Sequence, residues 1–211
     1  MEAEDLAGGP SGPVAGVILA AGSSSRLGVN KLLIELDGET VVRRAARRAL
    51  EAGLSPVIVV LGFEARRVAA ALEGLAVETV VNRRHDEGMH ASVEVGLERV
   101  PAECAAAVVI LADMPLVTAG MLDQIVARFR SGGPPLVISL YGEVQAPPTL
   151  YSRALFPALA AAGAGGGRQV VGDHREQAAA LHWPNTVGAD LDLPEDVARL
   201  RQELPSGGPA S

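Results

Sequence analysis

Apolar positions along this chain follow two periods. The runs "VAGVILA", "VIVVL" and "AVVIL" are apolar throughout, without the alternation of a half-exposed strand, so they predict strands covered on both faces. Around them stand segments of helical period, "TVVRRAARRALEAG", "EARRVAAALEG", "SVEVGLERV" and "TAGMLDQIVARFR", with "VETVV" as a further strand. This alternation predicts βαβ units in an α/β fold, three layers α/β/α around a mostly parallel central sheet. Thr40 and Thr118 are expected as helix N-caps, and Gly53 lies just past a helix end. After Leu136 the pattern loosens into a strand "PLVISLYG", an irregular "EVQAPPTLY", a helix from about Arg153 and a flexible loop "AAAGAGGG", Ala160 to Gly167. A closing helix follows "LDLPED", with Pro194 in its first turn.

Composition narrows the class. The 211 residues are 48% hydrophobic, enough for one packed domain, expected over residues 13–203 between a disordered acidic leader, 1–12, and a low-complexity tail, 204–211. A net charge of −7 argues against nucleic acid as a partner, so any polyanion must be met locally. The single cysteine, Cys104, excludes a disulfide framework and suits the cytoplasm. No apolar stretch reaches bilayer length, because Asp113 interrupts the best candidate, and no membrane association is expected. His85, His90, His174 and His182 lack zinc-type spacing and are expected to be solvated or capping. Arg43, Arg44, Arg47 and Arg48 recur at helical spacing and read as a solvated face, with a protein partner as the alternative.

In such a sheet, ligands lie beyond the carboxyl ends of the strands. Two strand ends carry chemistry. In "VILAAGSSSRLGVNK" the small residues Ala20, Ala21 and Gly22 let backbone N–H groups curl around an anion, the serines add hydroxyl donors, and Arg26 and Lys31 bring positive charge. Lys31 is the one lysine among 18 basic residues, and a compact ammonium on a flexible stem can follow a phosphate through a reaction. The spacing fits neither a P-loop nor a dinucleotide fingerprint. In "VVILADMPLV", Asp113 directly follows a strand; it either caps the turn or holds Mg²⁺. Asp190 and Asp192 offer a second carboxylate, although Asp192 is also placed to cap the last helix.

The segment "LAAGSSSRLGVNK" resembles the signature loop of the nucleotidyltransferases with a glycosyltransferase-A-like, Rossmann-like fold, and within them the molybdenum cofactor cytidylyltransferases and their guanylyltransferase cousins. "ADMPLV", "NRRHDEGMHASVEVGL" and "DLDLPEDVARL" resemble further family segments in the same order. The resemblance implies transfer of a nucleoside monophosphate from an NTP to a phosphorylated small-molecule acceptor such as molybdopterin, with loss of pyrophosphate. It places Arg26 on the β- and γ-phosphates, Lys31 on the α-phosphate, and Asp113 with Asp192 on Mg²⁺. Leu19, Ala20, Ala21, Gly22 and Ser23 would hold the nucleotide, and Asn82, Gly88 and Ser92 would contact the base, with helix N-capping as the alternative for Ser92.

The resemblance of "LAAG", and of Asn30 where guanine users carry aspartate, makes CTP the expected nucleotide and GTP the alternative. "QAPPTLY" departs from the family's Gly-His-Pro, with Ala146 and Pro147 replacing the Gly-His pair, while "GGGRQVV" keeps an arginine, Arg168, that meets acceptor phosphate or caps a loop. A sugar- or alcohol-phosphate nucleotidyltransferase and a noncatalytic nucleotide- or cofactor-binding chaperone are the rival readings. A molybdoenzyme or its chaperone is the macromolecular partner that the resemblance implies.

Overall fold

The fully apolar runs become the middle of a sheet, where neighbours on both sides and helices on both faces exclude water. The computed structural model describes residues 10–22 and 29–188, together with Asp196. Among them β1 (Val14–Ala20) is followed by a hairpin of β2 (Glu35–Leu36) and β3 (Glu39–Thr40), then α1 (Val41–Glu51), β4 (Val57–Leu61), α2 (Ala65–Ala71) and β5 (Glu78–Val81). The chain continues through α3 (Met89–Leu97), β6 (Ala106–Leu111), α4 (Ala119–Arg130), β7 (Leu136–Tyr141), β8 (Val144–Ser152), α5 (Phe156–Ala161), α6 (Gly166–Asp173) and β9 (Ala178–Trp183). A seven-stranded sheet runs β5-β4-β1-β6-β8-β7-β9. β1 is parallel to β4 and β6, β4 is parallel to β5 and β7 to β9, whereas β8 is antiparallel to both its neighbours. The fold is therefore the expected α/β sandwich with a mostly parallel sheet.

Alternation along β1 splits the core in two. Val14, Ile18 and Ala20 face a cluster built with α1, α2 and α4, including Val42, Val68 and Phe129. Ala15, Val17 and Leu19 face a second cluster with α3, α5 and α6, including Leu97, Leu159 and Val170. Period two along a strand thus puts one helical layer on each face. Thr118 caps α4 by accepting from Met121 N (3.2 Å), whereas Thr40 precedes α1 without a side-chain cap. Gly53 turns out of α1 with φ 65°.

Four expectations need correction. "EVQAPPTLY" forms β8; its prolines fall where the pairing with β7 shifts, and Ser139 Oγ and Tyr141 OH donate instead to the carbonyls of Pro148 (2.6 Å) and Pro147 (3.0 Å). The glycine-rich "AAAGAGGG" is not a loop but the end of α5, a helical turn and the start of α6, held by Val170 and Val171 in the core. Ser92 lies inside α3 rather than capping it.

The α1 arginines are not a solvated face. Arg43 donates to the Ala71 and Glu73 carbonyls (3.1 and 2.9 Å), Arg44 to Leu36 O (2.7 Å), Arg47 to both Glu39 oxygens (2.9 Å each), and Arg48 to Pro115 O and Val117 O (2.5 and 2.6 Å). Long stems cross the helix surface, and guanidinium N–H groups satisfy carbonyls of neighbouring turns or, for Arg47, a carboxylate, which a helical period alone does not reveal. The closing helix, residues 1–9 of the leader and the tail lie outside the described residues.

Candidate active site

Three strand ends meet at one sheet edge. Pairing Ala20 with Leu61 and Leu19 with Leu111 brings the segments after β1, β4 and β6 side by side. The chain leaves β1 toward β4 and β5, then returns to β6 on the other side, so the strand order reverses at β1 and opens a crevice between β1 and β6.

Two charged groups close on each other there. Asn30, 5% exposed, accepts from Leu32 N (3.1 Å) and caps the short helical turn Lys31–Leu33 that launches the lysine. Asp113 leaves the turn after β6, tied to the end of β1 by Ala112 N donating to Leu19 O (3.1 Å). Lys31 Nζ and Asp113 Oδ2 stand 2.5 Å apart, the side chains 15% and 19% exposed, so the pair is largely desolvated yet open to a ligand.

Beside this pair lies a cavity of about 440 Å³ lined by Leu19, Ala21, Gly22, Leu32, Ser92 and Leu111 together with Lys31 and Asp113. Ala20 points instead into the core. Gly88, also lining, adopts φ 116°, which favours glycine. Ser92 is 4% exposed and receives the Asn82 amide (3.0 Å); Asn82, 1% exposed, also accepts from Arg84 N (2.9 Å) and supports the wall from behind rather than lining it. Arg26 and Ser23 of the first loop, and Asp190 and Asp192, lie outside the described residues.

The sequence reading missed several participants. His85, Asp86 and Met89 line the same cavity. Gly62, directly after β4, leaves no space for a β-carbon, which would come within 2.6 Å of the Ala21 carbonyl and 2.8 Å of His85 Cβ. A glycine at a strand end was the available signal for that close approach.

A second cavity of about 470 Å³ adjoins the first across Gly88, Met89 and Leu111. Apolar Val93, Val109 and Leu159 line it, with Gln145, Thr149 and Tyr151 from one face of β8 and exposed Arg168 at its rim. Ala146 and Pro147 stand in this wall. Burial pushes the Tyr151 phenol up to about 12, so it is a neutral hydroxyl at physiological pH.

A doubly wound sheet with a small-residue loop, a lysine and a carboxylate converging at its switch point defines a nucleotide-binding class of α/β protein. Residues 16–179 match the family described as MobA-like NTP transferase domain. The chain belongs to that family. A probable molybdenum cofactor guanylyltransferase from Natronomonas pharaonis is 37% identical over 117 residues, 55% of this chain; the chain thus spans 57% of that relative's length. Among solved structures, Rv0371c from Mycobacterium tuberculosis H37Rv is 30% identical with a TM-score of 0.79, over 90% of this chain and 98% of its own. The same mycobacterial protein in complex with manganese superposes with a TM-score of 0.72 at 28% identity, over 91% of this chain and 99% of its own. No helix among the described residues is long and apolar enough to cross a membrane.

Proposed function

We propose that this protein transfers a nucleoside monophosphate from an NTP to a phosphorylated small-molecule acceptor, releasing pyrophosphate. The observation that carries the reading is the Lys31–Asp113 pair, distant in sequence and 2.5 Å apart at the sheet edge beside a nucleotide-sized cavity. An acceptor phosphate oxygen bonds the α-phosphorus, the α–β phosphoanhydride bond breaks, and pyrophosphate leaves with the electron pair. Such a step depends on in-line positioning and charge neutralisation rather than on a protein nucleophile.

The donor set fits Mg²⁺. Asp113 supplies one carboxylate, which together with triphosphate oxygens suffices for a hard cation. Among the described lining residues, two carboxylates, Asp86 and Asp113, stand against one lysine, so a triphosphate requires further positive charge. When bound, the cation would neutralise phosphate charge; Asp113, with Asp192 as second ligand, would hold it, and Lys31 would stay on the α-phosphate while Arg26 takes the β- and γ-phosphates. The manganese complex of Rv0371c supports a divalent ion.

The guanylyltransferase name of the Natronomonas relative favours GTP. Asn30, one ground for CTP, is buried under its own cap, so its bearing is on Lys31 rather than on a base. CTP stays the second reading on Ala21, which lines the cavity. We assign the acceptor to the adjoining cavity, with Arg168 for its phosphate, and the same relative's name favours the molybdenum cofactor as its class.

The test mixes protein, Mg²⁺ and each NTP with molybdopterin and, in parallel, with sugar and alcohol phosphates, then measures pyrophosphate and the mass of the product. A guanylylated product is expected, and Lys31→Ala should lower kcat roughly 100-fold while changing nucleotide affinity far less. Tight nucleotide binding without product from any NTP and any of these acceptors would overturn the reading in favour of a noncatalytic module.

A further inference from the structure

The turn that carries Asp113 is weakly held by its own backbone. Between Ala112 and Val117 the turn bonds are Met114 N to Leu111 O, long at 3.4 Å, and Val117 N to Met114 O at 3.2 Å, and Pro115 has no N–H to give. The carbonyls of Pro115 and Val117 find their partner elsewhere, in the Arg48 guanidinium of α1, at 2.5 and 2.6 Å. Arg48 is half-buried, so these two bonds are shielded from competing water.

One turn earlier on the same helix, Arg44 donates to Leu36 O (2.7 Å) in the hairpin that follows Lys31, and Val41 N donates to Ile34 O (3.0 Å). Positions four apart share a helix face, so α1 grips both halves of the candidate site from one side. The helix itself is immobilised by Val41, Val42, Ala46 and Ala49, all at 0% exposure. Its two arginines therefore act from a fixed base.

We infer that Arg48 is a positioning residue: by bridging the Pro115 and Val117 carbonyls to α1, it sets where the Asp113 carboxylate stands relative to Lys31. The inference rests on the proposed role of Asp113 as a cation ligand. Both bonds leave one guanidinium nitrogen, Nη1, whose two N–H groups are fixed in the guanidinium plane, whereas a lysine ammonium on its flexible stem holds the same two carbonyls less rigidly. Orienting groups behind a metal ligand typically change metal affinity by about 10- to 100-fold when removed.

The experiment compares the full chain with Arg48→Met, Arg48→Lys and Asp113→Asn. Free Mn²⁺ is followed by electron paramagnetic resonance in the presence of GTP, GTP binding without metal by calorimetry, exchange of the 112–117 amides by mass spectrometry, and Tm alongside. Arg48→Met should weaken Mn²⁺ binding about tenfold and speed exchange across 112–117, with metal-free GTP affinity within about twofold of the parent. Arg48→Lys should recover part of both effects, and it carries the test if Arg48→Met does not fold. Wild-type Mn²⁺ affinity in the Arg48 variants while Asp113→Asn loses it would overturn the inference. If Asp113→Asn binds Mn²⁺ normally, the cation role of Asp113 fails instead, and unchanged exchange across 112–117 then overturns the clamp itself.

Discussion

Lys31 stands out in the chain as its one lysine, yet its chemistry depends on a carboxylate that no local motif joins to it. The same holds for Glu39, whose two oxygens accept from Arg47 Nε and Nη2 at 2.9 Å in a bidentate pair. Burial raises this carboxyl, but the hydrogen bonds and charge of Arg47, with Arg44 and Arg48 behind, outweigh it and hold the group below its ordinary 4.5. A carboxylate depressed in the folded state contributes stability that is full above the unfolded value and is lost as pH falls through the folded one. The urea midpoint should therefore fall as pH drops below about 4.5, and Glu39→Gln should both lower stability at pH 7 and flatten that acid slope. Superimposable pH profiles for parent and variant would show that the pair contributes nothing.

At the scale of elements, α3 carries Met89 and Ser92 to the first cavity and lies directly on the sheet. A β-carbon at Gly96 would fall on the Val17 side chain and within 3.0 Å of Val60 Cγ2. Gly96→Ala should cost about 1–3 kcal/mol through overpacking, more than the roughly 1 kcal/mol that alanine adds to a helix. A urea titration decides, since a stabilised variant would mean that α3 has room to move. The elements themselves were legible where the period was strong: β1, β4, β6, α1 and α4 stand where their apolar spacing placed them. β8 was not, because Pro147 and Pro148 mimic a break, whereas hydroxyls of β7 donate to their carbonyls and keep the segment on the sheet. β9 escaped notice as well, its "AAALHW" too short and alanine-rich to carry a strand period at an edge.

The whole molecule sets two adjoining cavities at one sheet edge, so donor and acceptor can be held together. Ligand that binds only the folded chain adds about 2.7 kcal/mol at a hundredfold excess over Kd, which for a chain of this size is roughly 5 to 10 °C in Tm. GTP with Mg²⁺ should give such a shift in a thermal scan, and EDTA should cancel most of it, given two described carboxylates beside one lysine. An equal shift with and without the divalent ion would contradict the cation reading. By itself the sequence determined the main strands and helices, their layering and the two strand ends that carry chemistry, since apolar period and strand-end composition are local properties of the chain. Only the tertiary structure decided that Lys31 reaches Asp113, that Asn82 backs Ser92 rather than lining the cavity, and that Arg43, Arg44 and Arg48 hold carbonyls while Arg47 pairs with Glu39. Those outcomes follow from which turns the β1–β6 crossover brings within hydrogen-bond reach, and no local period encodes that distance.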